Sequence, residues 1–172
     1  MKINKKTLGI IAAVVIVVIA AVAGFVLLQK PATQSSGGDN MDAINYYNKG
    51  NTLAEQGDYK GALSETEKAL AINPNFPPAW IQEADTLNHL GRYYDAINAT
   101  NRVLVMNSTG NETKALALAV RADTLNNLGY YQQAVTASEM ALQLDPEQDM
   151  AVTTRNYAKS MLAAYANLSK SQ

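Results

Sequence analysis

Asp85 and His89 stand four residues apart, a spacing that on a helix puts a carboxylate and an imidazole on one face, one turn from each other. Such a pair can hold part of a metal site. Two ligands without a third do not make a catalytic centre, however, and His89 is the only histidine. Cysteine is absent, so thiolate metal sites and disulfides are excluded. No glycine-rich phosphate loop and no nucleophile motif is present. The pair therefore reads as exposed polar side chains, with no catalytic, cofactor-binding or metal role. The chain is expected to be no enzyme, with no cofactor and no small-molecule substrate.

The surroundings of that pair are repeated. Ala84 opens ADTLNHLGRYYDA, and Ala122 opens ADTLNNLGYYQQA. A looser copy upstream, GNTLAEQGDYKGA, begins at Gly50. A period of about 34 residues, with small side chains at fixed offsets, marks an array of helical hairpins. The step from Gly50 to Ala84 has that length, and the step from Ala84 to Ala122 is slightly longer. Ala84 and Ala96 lie on either side of the turn at Gly91, where small residues let two antiparallel helices approach. Pro74 and Pro146 cannot continue a helix, so each ends one hairpin before the next starts. This reading places helices at about 42–56, 59–72, 77–90, 93–107, 112–128 and 131–144. Trp80 and the tyrosines are expected to pack inside the hairpins.

Residues 149–168 carry Tyr157, Ala158, Met161, Leu162, Tyr165 and Leu168 in one stripe of helical period. A terminal helix with one polar face covers the last hydrophobic surface of an array, so this segment reads as a cap, the alternative being the first half of a truncated fourth repeat, with a short tail at 169–172.

Upstream, residues 1–7 hold Lys2, Lys5 and Lys6 and precede an uncharged apolar run over residues 8–28. As a helix this run is roughly 31 Å long, the thickness of a bilayer's hydrocarbon core. Fourteen of its residues are Leu, Ile, Val or Phe, which favours insertion by several kcal/mol. Three lysines before it and Lys30 after it place the N-terminus in the cytoplasm and the remainder outside. Ala21-Val22-Ala23 has the form of a signal-peptidase site, but the run continues through Phe25, Val26, Leu27 and Leu28, which favours an uncleaved anchor. Residues 29–41, rich in Ser, Gly, Gln and Thr, read as a flexible linker, and residues 42–168 as the folded domain.

Charge narrows the partners. The chain holds 14 basic and 15 acidic residues, and four of the lysines flank the apolar run. The domain beyond is about −5, a poor match to nucleic acid, whose phosphates need concentrated Lys and Arg.

The residues at fixed offsets resemble the tetratricopeptide repeat (TPR) in three units, 43–76, 77–110 and 115–148. The first carries Tyr46, Gly50, Leu53, Gly57, Tyr59, Ala62, Ala69 and Pro74. The second carries Trp80, Ala84, Leu87, Gly91, Tyr93 and Ala96, with Val103 and Ser108 as weaker matches, and the third Leu118, Ala122, Leu125, Gly129, Tyr131, Ala134, Ala141 and Pro146. The resemblance implies an all-α fold, a right-handed α-α superhelix of three hairpins with a C-terminal capping helix behind the transmembrane helix. Three departures stand out. Thr66, Thr100 and Ser138 occupy places where the family often has an aromatic residue, which is expected to weaken packing between hairpins. Lys49, Glu83 and Arg121 replace a common leucine and are expected to pair across neighbouring repeats. A four-residue insertion within 108–114 lengthens either a loop or the fifth helix.

The resemblance further implies that the first helix of each hairpin lines a concave groove for an extended peptide or partner segment. Asn51, Asp85 and Asp123 fall at matching places on those helices, with Asn88 and Asn126 one turn on and Glu55, His89 and Asn127 beside them. Together they form a polar, mildly acidic strip, and Tyr47 and Ile81 add apolar contacts. One branch of the family clamps a chaperone's C-terminal carboxylate with Lys and Asn here. Lys49-Gly50-Asn51 is locally similar, but Asp85, Ala119 and Asp123 occupy the later sites, and negative charges repel a carboxylate. A neutral or basic segment is expected instead.

Asn98, Asn107, Asn111 and Asn167 begin N-x-S/T sequons. Asn107 and Asn111 flank the insertion and are the candidate glycosylation sites. These features imply a single-pass membrane scaffold of a prokaryote, bacterial or archaeal, that displays its repeats outside the cell and binds protein. An assembly factor for pili, secretion systems or surface layers, or a non-catalytic subunit that positions an enzyme, has the same features.

Overall fold

The computed structural model describes residues 37–170. The apolar run at 8–28, expected to span a membrane, lies outside the described residues, as do residues 29–36 of the linker. Among the described residues no helix is long and apolar enough to cross a membrane.

Seven helices and no strand make up the described part: α1 (Gly37–Glu55), α2 (Tyr59–Ile72), α3 (Pro77–His89), α4 (Tyr93–Val105), α5 (Asn111–Asn127), α6 (Tyr131–Leu144) and α7 (Asp149–Lys170). Consecutive helices pack as antiparallel hairpins, α1 with α2, α3 with α4 and α5 with α6, and α7 lies against α5 and α6. The first helix of each pair also touches the first helix of the next, so α1, α3, α5 and α7 form one continuous layer.

The hairpin turns follow one design. Gly57, Gly91 and Gly129 have φ of 80°, 73° and 77°, a left-handed conformation that side chains with a Cβ disfavour. In each turn the glycine N–H returns to a carbonyl three residues back, and the next N–H reaches one five residues back. At the second turn Gly91 N donates to Asn88 O at 3.0 Å and Arg92 N to Leu87 O at 2.8 Å. These bonds satisfy carbonyls orphaned by the helix end. The other ends of the first and third hairpins stop differently. Asn73 and Asp145 are extended before Pro74 and Pro146, and their side-chain oxygens accept the N–H of Asn75 and Glu147 at 3.0 and 3.1 Å.

Alanine dominates the seams between helices. Ala62, Ala84, Ala96, Ala122 and Ala134 are fully enclosed, and their small size brings the backbones close enough for Leu63, Leu87 and Val103 to fill what remains. Thr66, Thr100 and Ser138, which stand where the family often has an aromatic residue, are fully buried in the same seams. The Ser138 and Thr154 hydroxyls lie 3.0 Å apart, while Thr66 and Thr100 donate to the carbonyls of Ala62 and Ile97. At Thr66 and Thr100 a small hydroxyl tied to its own helix stands in place of a ring, whereas Ser138 meets Thr154 of α7.

Gly50 shows how near. A Cβ there would stand 2.8 Å from Thr66 Oγ1 and 3.1 Å from Gln82 Nε2.

Three further expectations change, and a fourth, left open between a loop and the fifth helix, is decided. The linker is expected to run to residue 41, yet α1 begins at Gly37, and Asn40 Oδ1 accepts from Asn73 Nδ2 at 3.2 Å, a tertiary bond that composition cannot show. The insertion enters the helix: α5 has 17 residues where α3 has 13, so the inserted segment became one extra turn. Lys49 pairs with Glu65 at 3.1 Å inside its own hairpin, and only Arg121 reaches another repeat, donating to Asn101 at 2.8 Å. Finally, Tyr94, Tyr130, Tyr157 and Tyr165 are exposed rather than packed inside hairpins. The cap buries Ala151, Thr154 and Ala158, while further along it Tyr165 is exposed, its ring centroid 5.9 Å from that of Tyr131 at the start of α6.

Candidate functional site

The layer of first helices encloses an open cavity of about 330 Å³. Its register follows from helical spacing. Tyr47 and Asn51 on α1 and Ile81 and Asp85 on α3 are each four apart and share a face, and all four line the cavity. Leu116 and Val120 on α5 complete the far wall, and Met150 on α7 reaches in from the cap. The extra turn of α5 also brings Thr113 to the cavity.

The lining is mostly apolar, with the amides of Asn51 and Gln82 and the carboxylate of Asp85 among it. Gln82 Nε2 donates to Asn51 Oδ1 at 2.6 Å, tying α3 to α1, and the Gln82 Oε1 atom lies 2.9 Å from the Thr66 hydroxyl. Asn88 Nδ2 donates to Asp123 Oδ2 at 2.7 Å, and Asn127 Nδ2 donates to Asn88 Oδ1 at 3.0 Å. This second network ties α3 to α5. The two networks hold neighbouring first helices in register with charge-assisted and amide bonds.

Asp85 is placed against the grain of its surroundings. Burial pushes its carboxyl above the ordinary aspartate range; nearby His89 opposes the shift and the Asp123 charge adds to it. The His89 Nδ1 atom lies 3.7 Å from Asp85 Oδ2, and its hydrogen-bond contact, at 2.9 Å, is with the Asp85 carbonyl. The imidazole stacks on Tyr59, with ring centroids 4.4 Å apart and planes at 15°. His89 thus belongs to the hairpin tips more than to the groove. Among the described residues no cluster of three or more His, Asp and Glu is placed to hold a metal.

The expected strip divides on inspection. Tyr47, Asn51, Ile81 and Asp85 line the cavity, and Asp123 stands beside it in the amide network. Asn88 is buried, and its amide serves helix pairing. Asn126 is a correction: it is buried and donates to Thr154 O at 3.0 Å, against the cap. Helical rotation carries it off the groove face. Glu55 and Asn127 are exposed at the ends of α1 and α5. Asn107 lies in the exposed loop before α5, and Asn111 is the exposed first residue of that helix.

Residues that the strip omitted include Pro78, Gln82, Thr86, Leu116 and Met150. A signal for some of them was present. Leu116 and Met150 stand one repeat period apart, at the same place on successive first helices. Gln82 and Thr86 lie on the inter-helix face, and only packing shows that the cavity reaches that deep.

Tetratricopeptide repeat profiles match residues 43–76, 66–98 and 115–148. The chain carries tetratricopeptide repeats. Solved TPR structures share the fold. The first TPR domain of human RPAP3 superposes with a TM-score of 0.66 at 22% identity, covering 74% of this chain and 98% of that one. The second TPR domain of human RPAP3, solved in complex with the HSP70 peptide SGPTIEEVD, gives a TM-score of 0.62 at 21% identity over 70% of this chain and 98% of that one. MamA from Desulfovibrio magneticus RS-1 gives 0.53 at 23% identity over 76% and 77%. At these identities the likeness is one of fold alone. An uncharacterized protein of Methanocaldococcus jannaschii is 41% identical over 51 residues, which is 30% of this chain and 59% of that relative. A TPR array is the fold of an interaction scaffold.

Proposed function

We propose that this TPR domain binds a neutral or basic segment of another protein in the groove of its first helices, displayed outside a prokaryotic cell by the apolar run at 8–28. The observation that carries the reading is Asp85, half-buried in the cavity wall, with Asp123 beside it and no lysine or arginine lining the cavity. An acidic segment like the SGPTIEEVD seen on the human RPAP3 domain would set its carboxylates against these two aspartates. A lysine or arginine there would relieve the repulsion instead. The anchor and the outward orientation rest on the length of the apolar run and on the lysines at 2, 5 and 6.

The test is chemical crosslinking in native membranes followed by mass spectrometry, with the full chain and with Asp85→Ala plus Asp123→Ala. Loss of a recovered partner in the double variant, with the melting curve kept, supports the groove. Unchanged recovery would end the charge argument. Recovery of envelope structural proteins points to an assembly factor, and recovery of one enzyme to a positioning subunit.

A further inference from the structure

The helix α5 lines two cavities. Thr113, Leu116 and Val120 face the concave groove, whereas Leu118, Arg121 and Leu125 line a second open cavity of about 350 Å³. At about 100° per residue the two sets stand roughly 140° apart around the helix, so the second cavity opens on the other side of the array. Its walls come from the second helices of two hairpins, with Leu104 on α4 and Gln133, Thr136, Ala137 and Met140 on α6. The helices α4 and α6 each pack on α5 but not on one another, which leaves a groove between them. Met140 in its wall is 49% exposed, so apolar surface there is open to solvent.

Arg121 is the only charged residue in this lining. It is half-buried, and its Nη1 donates to Asn101 Oδ1 at 2.8 Å. Among the described residues no carboxylate forms an ion pair with it. Glu139, beside Met140 in sequence, is taken by Lys159 of the cap at 3.0 Å. A guanidinium has five N–H donors, so this one keeps donors and a full charge for a ligand. The domain's net negative charge is screened beyond about 8–10 Å, and the cation at contact decides what pairs there.

We propose that this outer groove docks an amphipathic helix of a partner protein, with its apolar stripe on Leu104, Leu118 and Met140 and a glutamate or aspartate beside the stripe paired with Arg121. A helix satisfies its own backbone. An extended segment would bring N–H and C=O groups into a groove whose only polar side chains are Arg121, Gln133 and Thr136. Leu118, Arg121 and Leu125, like Gln133, Thr136 and Met140, recur at helical spacing, which matches a stripe of anchors three and four residues apart. The two faces of the array thus select opposite charges, and this site does not depend on the concave groove.

The experiment uses the full-length chain with isotope-labelled methionine methyl groups in non-ionic micelles. Met140 reports the outer groove and Met150 the concave cavity, and Met140→Leu and Met150→Leu assign the two signals. The probes are amidated helical peptide mixtures of about 18 residues, with a stripe varied over Leu, Ile, Met and Phe and one flanking position set to glutamate, glutamine or lysine. Nuclear magnetic resonance titration is expected to show the glutamate mixture moving the Met140 signal, leaving Met150 in place, and binding about tenfold tighter than the glutamine mixture. Arg121→Gln, which keeps a donor for Asn101, removes that difference with the melting curve unchanged, and Arg121→Glu reverses the order in favour of the lysine mixture. A lost fold would move both signals together without peptide. Equal binding by the three mixtures, a glutamate preference that survives Arg121→Gln, movement of Met150 instead, or no movement overturns the proposal. So does equal binding by a glutamate mixture broken by a central proline, which means an extended ligand, or a Met140 signal that shifts with protein concentration alone, which means a second copy. None of these results bears on Asp85, so the concave groove stands or falls by its own crosslinking test.

Discussion

Glu83 holds a charge in a place that does not want one. It faces away from the groove, in a shallow cavity with Trp80, Arg92, Asp95 and Arg102, and its Oε2 is buried without a hydrogen-bond partner. Both nearby cations are occupied: Arg92 binds Asp95 at 2.8 Å, and Arg102 stands over the Trp80 ring at 5.9 Å. Burial, with Glu67 adding repulsion, pushes the Glu83 carboxyl up to about 7 from 4.5. Below 4.5 the group is protonated in both folded and unfolded chains, and nothing is lost. Between 4.5 and 7 the folded chain holds the proton and the unfolded chain does not, so stability falls as pH rises and levels off above the folded value. The full shift corresponds to about 3 kcal/mol, but the cavity is open to solvent, and screening reduces the effect to about 1 kcal/mol. Glu83→Gln keeps the shape and removes the charge. Urea unfolding of residues 37–172, followed by circular dichroism, should show the variant about 1 kcal/mol more stable than the parent at about pH 8, and the two alike near about pH 4.5. An equal difference at both pH values, or a variant less stable at the higher one, refutes the argument.

Other substitutions probe the packing and the turns. Gly50→Ala should cost about 1–3 kcal/mol, since the new methyl meets Thr66 and Gln82; a chemical melt of the variant measures it, and a neutral result means that α1 is free to shift. Gly91→Ala should cost about 1–2 kcal/mol from backbone strain alone, because nothing lies within 4 Å of the added Cβ. Gly110→Ala, also in open space but at φ of −68°, should be nearly neutral, and equal losses at the two positions would remove strain as the cause. If the domain is displayed outside the cell, protease added to intact cells should digest residues 37–172, whereas protection of the domain would reverse the proposed topology. Intact-mass measurement of native protein should show added mass lost on replacing Asn107 and Asn111 if those sequons are modified; an unmodified mass removes them as glycosylation sites.

Much of this architecture is legible along the chain because a stacked repeat writes its packing rules locally. Gly91 and Gly129 mark left-handed turns, Pro74 and Pro146 mark ends, and Ala84, Ala96, Ala122 and Ala134 mark seams, each within one hairpin's length. The recurrence of these residues at one period declares a helical array before any coordinate is known. Register also placed Tyr47, Asn51, Ile81 and Asp85 on one surface. The rest depended on neighbours far away in sequence. Helical period cannot tell whether Asn126 turns toward the groove or toward Thr154 on the cap, because both faces of α5 are packed. Nor can it tell that α5 absorbs the insertion as a turn and brings Thr113 to the cavity. Thr86 and Thr124 stand in identical tetrapeptides, and only the packed structure separates a satisfied hydroxyl from an orphan. Local chemistry sets which helices form and where they turn, whereas the partners of a buried polar atom are set by whichever helix arrives beside it.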